Sequence, residues 1–355
     1  MHKVISLFNH KGGVSKTTTT FHLGWMLAEK GYCVVMVDTD PQCNLTGLVL
    51  DFESTPDFDD FYSSNPGLNI YDALAPAFKS QPRFVEAVEC VQVPERPGLM
   101  LIPGHVNLSE YEVTLGIAQE LSGSLQALRN LPGAFRFFLD RVAEENQADF
   151  IIVDMSPSLS SLNQNFLMTS DFFIVPAAPD FFSVMAIDSL ATFLPNWIDW
   201  AHQASKSETL RNATYPFPQP TLKFLGTVIQ RFRPRKQNAA SGFQTWINQI
   251  NSCTRDRLFP TLSNHGVVLE EQAYESVGVC QSNGYCLAEI ADFNSLITIS
   301  QTERTPVFSL TKPMLTKHRQ MGIVLENNET RRNEFHNVFS DLADKVLQLT
   351  GHTNA

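Results

Sequence analysis

The sequence predicts an α/β fold, built on a doubly wound and mostly parallel sheet that is flanked by helices. Two observations support this prediction: short apolar runs recur along the chain, and segments of helix length separate them. Continuous apolar runs are typical of strands covered on both faces, and strands that alternate with helices favour parallel pairing. The predicted strands cover residues 3–8, 33–37, 99–103, 150–153, 172–175 and 224–229.

The first fifty residues show the repeating unit most clearly. A strand at 3–8 is followed by a glycine-containing loop at 9–15 and by a helix at 17–30, which Gly31 can end. The next strand, at 33–37, is apolar throughout. A unit this compact implies a right-handed crossover between two parallel strands.

The whole chain, 1–355, is interpreted as one domain with two insertions at the periphery of the sheet. Residues 51–97 are acidic at first and then aromatic and proline-containing, and residues 203–222 are polar with three prolines near their end. Apolar residues at helical spacing over 333–349 predict a C-terminal packing helix. Its charged side chains are mostly acidic, which argues against a membrane-binding helix.

Composition and charge exclude several classes of protein. Apolar residues make up 43% of the 355, yet no apolar run approaches a membrane span and the N-terminus lacks a secretory pattern. The six cysteines show no paired metal-ligand spacing, so a reduced cytoplasmic protein is expected. A net charge of −11 argues against nucleic-acid binding by the whole surface. The charge is uneven, however, because residues 223–260 hold seven bases and one acid.

A phosphate-binding loop is predicted between the first strand and the first helix. Backbone N–H groups of a glycine-rich turn and the positive end of a helix cradle phosphate oxygens together. Lys16 is placed to neutralise the β- and γ-phosphates, and the Thr17 hydroxyl to ligate Mg²⁺. The common pattern G-x-x-x-x-G-K-[ST] fails, because His10 and Ser15 stand where its glycines would be. The predicted nucleotide-binding residues are Lys11, Gly12, Gly13, Val14, Ser15, Lys16, Thr17 and Thr18.

This loop, K-G-G-x-x-K-T-T, resembles the deviant Walker A signature of the ParA/MinD family of partitioning and positioning ATPases. The segment that begins at Asp38 reads D-T-D-P-Q-C-N-L-T and looks like the D-x-D-P-Q-x-N-x-T segment of ParA-type members. Two carboxylates at i and i+2 on a strand end point the same way. By resemblance, Asp40 orients the attacking water and Asp38 belongs to the Mg²⁺ and water network.

A third element follows the predicted strand at 150–153, which ends in Asp154. Four apolar residues followed by an acid are typical of a Walker B carboxylate, which reaches the water shell of the metal. Further along, Pro179-Asp180-Phe181-Phe182 is similar to the P-E-F-F stretch of ParA-like chains. The resemblance implies ATP and Mg²⁺ as cofactors, with Thr17, Asp38 and Asp154 around the metal.

The resemblance also implies a mechanism. In this family the first lysine of the loop, here Lys11, reaches across a dimer to the partner's nucleotide, so that ATP joins two subunits and slow hydrolysis releases them. Lys11, Lys16 and Asp40 are then the predicted catalytic residues. ParA-type proteins bind DNA without sequence preference as ATP dimers, which predicts a cytoplasmic protein associated with the nucleoid when ATP-bound. A ParB-like or cargo-adaptor protein is expected as a partner, and binding to a membrane is not expected.

The best local candidates for DNA contact are Arg231, Arg233, Arg235 and Lys236. Arginine and lysine contacts to phosphates supply affinity without reading sequence. Two other interpretations stay open: the basic loop is merely solvated, or it lines the nucleotide site near the adenine or ribose. The acidic stretch 51–60 is interpreted as a solvated loop, and a docking surface for the partner protein is the alternative.

Two other classes of function remain besides the partition or positioning ATPase. One is a signalling or defence module, in which an ATP-switched dimer recruits an effector without binding DNA. The other is a metabolic ligase of the same broad P-loop class, which the D-x-D-P-Q stretch disfavours. ATP-dependent binding to non-specific DNA separates the first class from both.

Overall fold

The structure is a computed structural model, and it describes residues 2–50, 58–121, 126–235, 238–239 and 241–352. Its strands are β1 (Lys3–Leu7), β2 (Val34–Asp38), β3 (Val91–Gln92), β4 (Leu99–Ile102), β5 (Phe150–Asp154), β6 (Phe172–Ala177), β7 (Lys223–Phe232), β8 (Pro234–Arg235), β9 (Asn238–Ala239) and β10 (Cys286–Ala291). Its α-helices are α1 (Lys16–Glu29), α2 (Asn44–Val49), α3 (Phe58–Ser64), α4 (Ile70–Phe78), α5 (Tyr111–Glu120), α6 (Leu131–Asn146), α7 (Ser161–Met168), α8 (Phe181–Lys206), α9 (Glu208–Arg211), α10 (Ser241–Cys253), α11 (Phe259–Asn264), α12 (Glu271–Ser276), α13 (Ser295–Thr302), α14 (Lys312–Lys317) and α15 (Gly322–Leu349).

Eight of the strands form one sheet in the order β10-β7-β6-β1-β5-β2-β4-β3. Every pairing in it is parallel except that of β3 with β4. Strands β2 and β4 lie on one side of β1, β5 returns to the position between β1 and β2, and β6, β7 and β10 follow on the other side. Helices lie between the strands, and this confirms the predicted doubly wound fold. Strands β8 and β9 pair separately as a short antiparallel ribbon.

All six predicted strands lie in this sheet, and their predicted bounds differ from the observed ones by a few residues. The largest difference is at β7, which continues to Phe232, so the predicted basic loop begins inside a strand. The predictions did not include β10, whose apolar pattern Glu289 interrupts, or the two-residue β3. Neither has the long apolar run on which the strand predictions depended.

The two predicted insertions, residues 51–97 and 203–222, are called the two atypical stretches below. Their described parts contact each other beside α6. The first contributes α3, α4 and β3 in its described part, and α4 is almost wholly buried. In the second, the hydroxyl of Tyr215 accepts a hydrogen bond of 2.9 Å from the backbone N–H of Val85. The ring of Tyr215 also lies 4.9 Å from that of Phe137 on α6.

The C-terminal helix α15 is longer than predicted, since it begins at Gly322 and not at residue 333. From residue 335 onward the helix buries Phe335, Phe339 and Val346, whose spacing produced the apolar periodicity in the sequence. The first half carries exposed residues, among them Ile323, and therefore shows no apolar face.

Helix α8 is the one described helix that is long and apolar enough, by length and composition, to cross a membrane. Only 39% of its most apolar 18-residue window is buried in the structure. Its first turn contributes to the site described next, and the thiol of Cys253 donates a hydrogen bond to the Val184 carbonyl on it.

Candidate functional site

The phosphate loop joins the end of β1 to the start of α1 at the carboxyl edge of the sheet. Two of its residues adopt the left-handed backbone conformation, Gly13 with φ +72° and Ser15 with φ +63°. This is the turn geometry that presents successive N–H groups to an anion. The first helical turn closes behind it, where the Thr19 N–H donates to the Ser15 carbonyl at 2.9 Å.

Lys16 lies beneath this loop with only 7% of its surface exposed. Its Nζ donates to the carbonyl oxygens of Asn9 at 2.9 Å and of Lys11 at 3.1 Å. Burial lowers the pKa of Lys16, although the nearby carboxylates of Asp154 and Asp40 oppose that shift. Two carbonyl oxygens satisfy the amine less well than phosphate oxygens would, because a charged acceptor makes the stronger hydrogen bond.

Lys11 occupies the other side of the loop and is held by the first turn of α8. Its Nζ lies 2.6 Å from both carboxylate oxygens of Asp180 and 3.0 Å from the hydroxyl of Ser183. Asp180 also caps α8 by accepting from the Ser183 N–H at 2.8 Å. Burial acts to raise the pKa of Asp180, but the bonds from Lys11 and Ser183 hold it below its ordinary value.

Asp38, which ends β2, and Asp40, two residues beyond it, have different surroundings. Asp38 is fully buried, and both of its oxygens accept hydrogen bonds: one from the Asp40 N–H at 3.1 Å, the other from the N–H and hydroxyl of Thr46 at 2.8 and 2.7 Å. Burial raises its pKa to about 6. Asp40 accepts from the Gln42 N–H at 3.0 Å and borders the open cleft.

Asp154 ends β5 and lies opposite Asp38 of β2 in the register of the sheet. Burial and the neighbouring Asp38 raise its pKa to about 8. Its Oδ2 is buried without a hydrogen-bond partner, while Oδ1 is 3.5 Å from the Thr20 hydroxyl. An unpartnered carboxylate oxygen beside a phosphate loop fits a Mg²⁺ with its shell of waters. Among the described residues no group of three or more His, Cys, Asp or Glu can hold a metal, and Mg²⁺ needs only one or two carboxylates plus phosphates.

The cleft over the loop has a volume of about 460 Å³. Its described lining comprises Gly12, Gly13, Val14, Ser15, Lys16, Thr17, Thr18, Asp40, Gln42, Asn44, Leu48, Pro157, Arg231 and Gln301. A second cavity of about 230 Å³ adjoins it and shares Ser15, Thr18 and Arg231. A larger cavity, of about 540 Å³, shares only Gln301 with the cleft, so volume alone does not identify the site.

The structure brings most of the predicted site residues together, with Asp38 and Asp154 packed behind the cleft and Lys11 turned to α8. The predicted DNA contacts are dispersed: Arg231 lies at the phosphate loop, and the exposed Arg233 lies beyond β7. The side chain of Arg235 and all of Lys236 lie outside the described residues. The sequence predictions missed Gln301 and Phe293, which come from the C-terminal third of the chain and carry no motif.

The fold and this loop define a P-loop nucleotide-binding protein. A profile of the AAA domain family (AAA_31) matches residues 2–205, and the chain belongs to that family. It is 34% identical over 194 residues to a ParA family protein of Chlamydia muridarum, which covers 54% of this chain and 65% of the relative. It is 29% identical over 189 residues to the chromosome partitioning protein ParA of Caulobacter vibrioides, over 53% of this chain and 60% of the relative. These matches confirm the predicted ParA/MinD-type membership, although each spans less than two thirds of the relative's length.

Solved structures show the same fold over nearly the whole chain. A protein from Corynebacterium diphtheriae superposes with a TM-score of 0.66 at 20% identity, covering 98% of both chains. The pNOB8 ParA bound to nonspecific DNA gives a TM-score of 0.55 at 17% identity and covers 100% of both. Likeness at this level of identity shows the fold alone.

Proposed function

We propose that this chain is a Mg²⁺-dependent ATPase that dimerises on ATP and binds DNA without sequence preference, to segregate or position DNA or a protein cargo. The observation that carries the proposal is that the two lysines of the phosphate loop have different partners. Lys16 lies under the loop and donates to the carbonyl oxygens of Asn9 and Lys11, while the Lys11 side chain points away from the loop to Asp180, the N-cap of α8.

The chain's own residues account for nucleotide binding. Backbone N–H groups of the loop and Lys16 would hold the phosphates. The Thr17 hydroxyl, and Asp154 through water, would hold Mg²⁺, which would supply positive charge beside the phosphates. Asp38 fixes the D-x-D-P-Q turn through its bonds to Thr46 and to the backbone of Asp40. Asp40 is thereby placed at the cleft, where it positions the attacking water.

Dimerisation follows from Lys11. Its amine makes an ion pair that is partly open to solvent, with exposed side-chain fractions of 19% for Lys11 and 44% for Asp180. An exposed pair of this kind is weak, so a triphosphate held by a second subunit competes with Asp180 for the lysine. Exposed apolar side chains of Phe181, Phe182 and Met185 lie in the same helical turn and offer a surface to that subunit.

DNA binding rests on the family and on the basic residues beyond β7. The chain carries a net charge of −11, so any DNA contact must be local. Arg233 is exposed at the start of this stretch, and Arg235 and Lys236 follow it in sequence. Such contacts give affinity that falls steeply with salt. The proposed location, cytoplasmic and on the nucleoid in the ATP state, depends on this interface.

The test measures retention of a random-sequence DNA duplex by purified protein with ATP, ADP or no nucleotide, across a salt series. Retention is expected to need ATP, to fall with salt, to persist in Asp40→Ala and to vanish in Lys16→Ala. The triple variant Arg233→Ala, Arg235→Ala, Lys236→Ala is expected to lose DNA while still dimerising on ATP.

The alternative is an ATP-switched dimer that recruits a protein effector without DNA. The surface where the two atypical stretches meet favours it, because residues 76–77, 80–84 and 214–215, together with Ala127 and Asn130, line a cavity of about 340 Å³ there. If ATP dimerises the protein but the protein binds no DNA in any nucleotide state, the alternative function is supported and the proposed association with the nucleoid is wrong.

A further inference from the structure

Strand β7 contains a bulge next to the phosphate loop. In its parallel pairing with β10, Gln230 lies opposite Ile290 and Phe232 lies opposite Ala291, so Arg231 is the extra residue. Its φ is +69°, in the left-handed region that a residue other than glycine rarely adopts. Bulges of this kind occur beside active sites, where they redirect a side chain.

The bulge directs two consecutive side chains toward the same neighbour. In a regular strand the side chains of Gln230 and Arg231 would point to opposite faces. Here the Gln230 amide donates to the Thr19 hydroxyl on α1, and Arg231 Nη1 donates to the Gly13 carbonyl oxygen at 3.0 Å. Both side chains therefore contact the phosphate loop or the helix that follows it.

Arg231 lines two adjoining cavities. It borders the 460 Å³ cleft over the loop and the 230 Å³ cavity beside it, which Thr18, Asp292 and Phe293 also line. Within the part of the chain that the structure describes, no carboxylate pairs with Arg231 and its side chain makes one hydrogen bond. A guanidinium carries five N–H donors, so most of them remain available to a ligand.

We infer that Arg231 is a nucleotide-binding residue, whose guanidinium leaves the Gly13 carbonyl and pairs with phosphate oxygens of the bound nucleotide. This rests on the proposed function in taking ATP as the ligand, and it removes Arg231 from the predicted DNA contacts. Arginine is suited to the task because its planar fork matches phosphate geometry. The strained backbone at Arg231 is retained because its side chain binds the ligand and does not stabilise the fold.

The test uses Arg231→Gly, because glycine adopts φ +69° without strain. Affinity for ATP and for ADP, measured by displacement of a fluorescent ATP analogue, is expected to fall about tenfold, the usual loss for one charge-assisted hydrogen bond. Weak competition by adenosine, which lacks phosphates, is expected to be unchanged. The thermal midpoint of the nucleotide-free protein is expected to stay the same or rise.

Arg319→Gly is the matched control. Arg319 is also exposed and has φ +59°, but it follows α14, outside the lining of both cavities. Its replacement is expected to have the same effect on the thermal midpoint and none on ATP affinity. Unchanged ATP affinity in Arg231→Gly would overturn the inference, and so would a fall in the thermal midpoint, since Arg231 would then be structural. An equal loss of adenosine binding would also overturn it, because the contact would be to the nucleoside.

DNA retention at saturating ATP separates this inference from the proposed function. Arg231→Gly is expected to retain DNA there as the unchanged protein does. If Arg231→Gly loses DNA retention but keeps its affinity for ATP, Arg231 is a DNA contact and not a nucleotide contact. If the unchanged protein itself ignores DNA, the proposed function fails, while the ATP and ADP affinities still decide the role of Arg231.

Discussion

Lys11 donates to both carboxylate oxygens of Asp180 at 2.6 Å, although the resemblance assigns this lysine to the nucleotide of another subunit. The pair is partly exposed, so solvent screening limits its contribution to about 1 kcal/mol or less. In a single subunit Asp180 is therefore a weak competitor for Lys11. The two residues are 169 positions apart, and no spacing rule in the sequence relates them.

Asp180→Asn is expected to strengthen dimerisation, because the amide cannot pair ionically with Lys11 yet can still cap α8 through the Ser183 N–H. The dimer dissociation constant in a non-hydrolysable ATP analogue should fall by up to about fivefold, which corresponds to about 1 kcal/mol. Sedimentation velocity over a protein dilution series measures it. Asp188→Asn, which removes the exposed partner of Arg257 on the same helix, serves as the control. An unchanged constant in Asp180→Asn would show that Asp180 does not compete for Lys11.

His22 connects the first helix to the C-terminal part of the chain. It is fully buried, its Nδ1 bonds the Thr18 carbonyl at 2.8 Å, and its Nε2 accepts from the Val307 N–H at 3.1 Å. Its packing neighbours are aromatic rings: Phe21, Phe293, Phe308 and Phe339. With no facing carboxylate in that set, burial lowers the pKa of His22 to about 3.

This pKa predicts acid sensitivity. Between pH 3 and about 6.5 the unfolded chain holds a proton at His22 that the folded chain does not, so stability is full above pH 6.5 and is lost as pH falls. From pH 7.5 to pH 5 the loss from this one residue is about 2 kcal/mol. Urea unfolding at the two pH values measures it. His22→Gln is expected to be less stable at pH 7.5 but to lose about 2 kcal/mol less on acidification, and an identical pH dependence in both proteins would refute the assignment.

The positions of single residues in the fold were predictable where a motif fixes their spacing. The eight loop residues, Asp40 and Asp154 follow from short segments, because each lies at the end of a strand that the sequence reveals. Arg231 was predicted as a DNA contact because its neighbours are basic. A one-residue bulge turns it to the phosphate loop, and a bulge depends on the partner strand, which a local sequence pattern does not contain.

At the scale of elements, the sequence predicts helices and strands with their own periodicity and misses those that depend on neighbours. The two-residue β3 forms because it can pair with the edge of β4. Helix α4 is likewise stabilised by its neighbours, because it is buried beside α6. The close approach of the second atypical stretch to α6 occurs at Gly133. A Cβ there would lie 2.6 Å from the Pro216 carbonyl oxygen, so only glycine fits without movement.

Gly133→Ala is therefore expected to destabilise the protein, by about 1–3 kcal/mol as for other overpacked sites. The cause would be displacement of residues 215–216 from α6, and denaturant unfolding followed by circular dichroism measures it. Gly242→Ala is the control, since no atom lies within 4 Å of its added Cβ and alanine favours the helix α10 in which it lies. If the two variants are equally stable, residues 215–216 do not pack tightly on α6.

At the scale of the whole molecule, the site is assembled from segments spread over most of the chain. The phosphate loop follows β1, Asp40 follows β2, Asp154 ends β5, Arg231 lies in β7 and Gln301 lies in the last turn of α13. The parallel order of the sheet brings these strand ends to one edge, and that order was predictable from the alternation of strands and helices. The contribution of the last third was not predictable, because its cleft residues carry no motif.

This assembly predicts that nucleotide stabilises the fold globally and not just the loop, because a ligand that binds only the native state shifts the whole unfolding equilibrium. At a hundred times its dissociation constant, Mg²⁺ and ATP should add about 2.7 kcal/mol, seen as a higher thermal midpoint in calorimetry with a single transition. Chelating Mg²⁺ with EDTA should remove part of the gain, since the phosphates would then lose the cation that Thr17 and Asp154 would hold. Lys16→Ala should lose nearly all of it, and adenosine should give little in either protein. A two-step transition, with ATP shifting only the first step, would mean that the phosphate loop unfolds independently of β7 and α13.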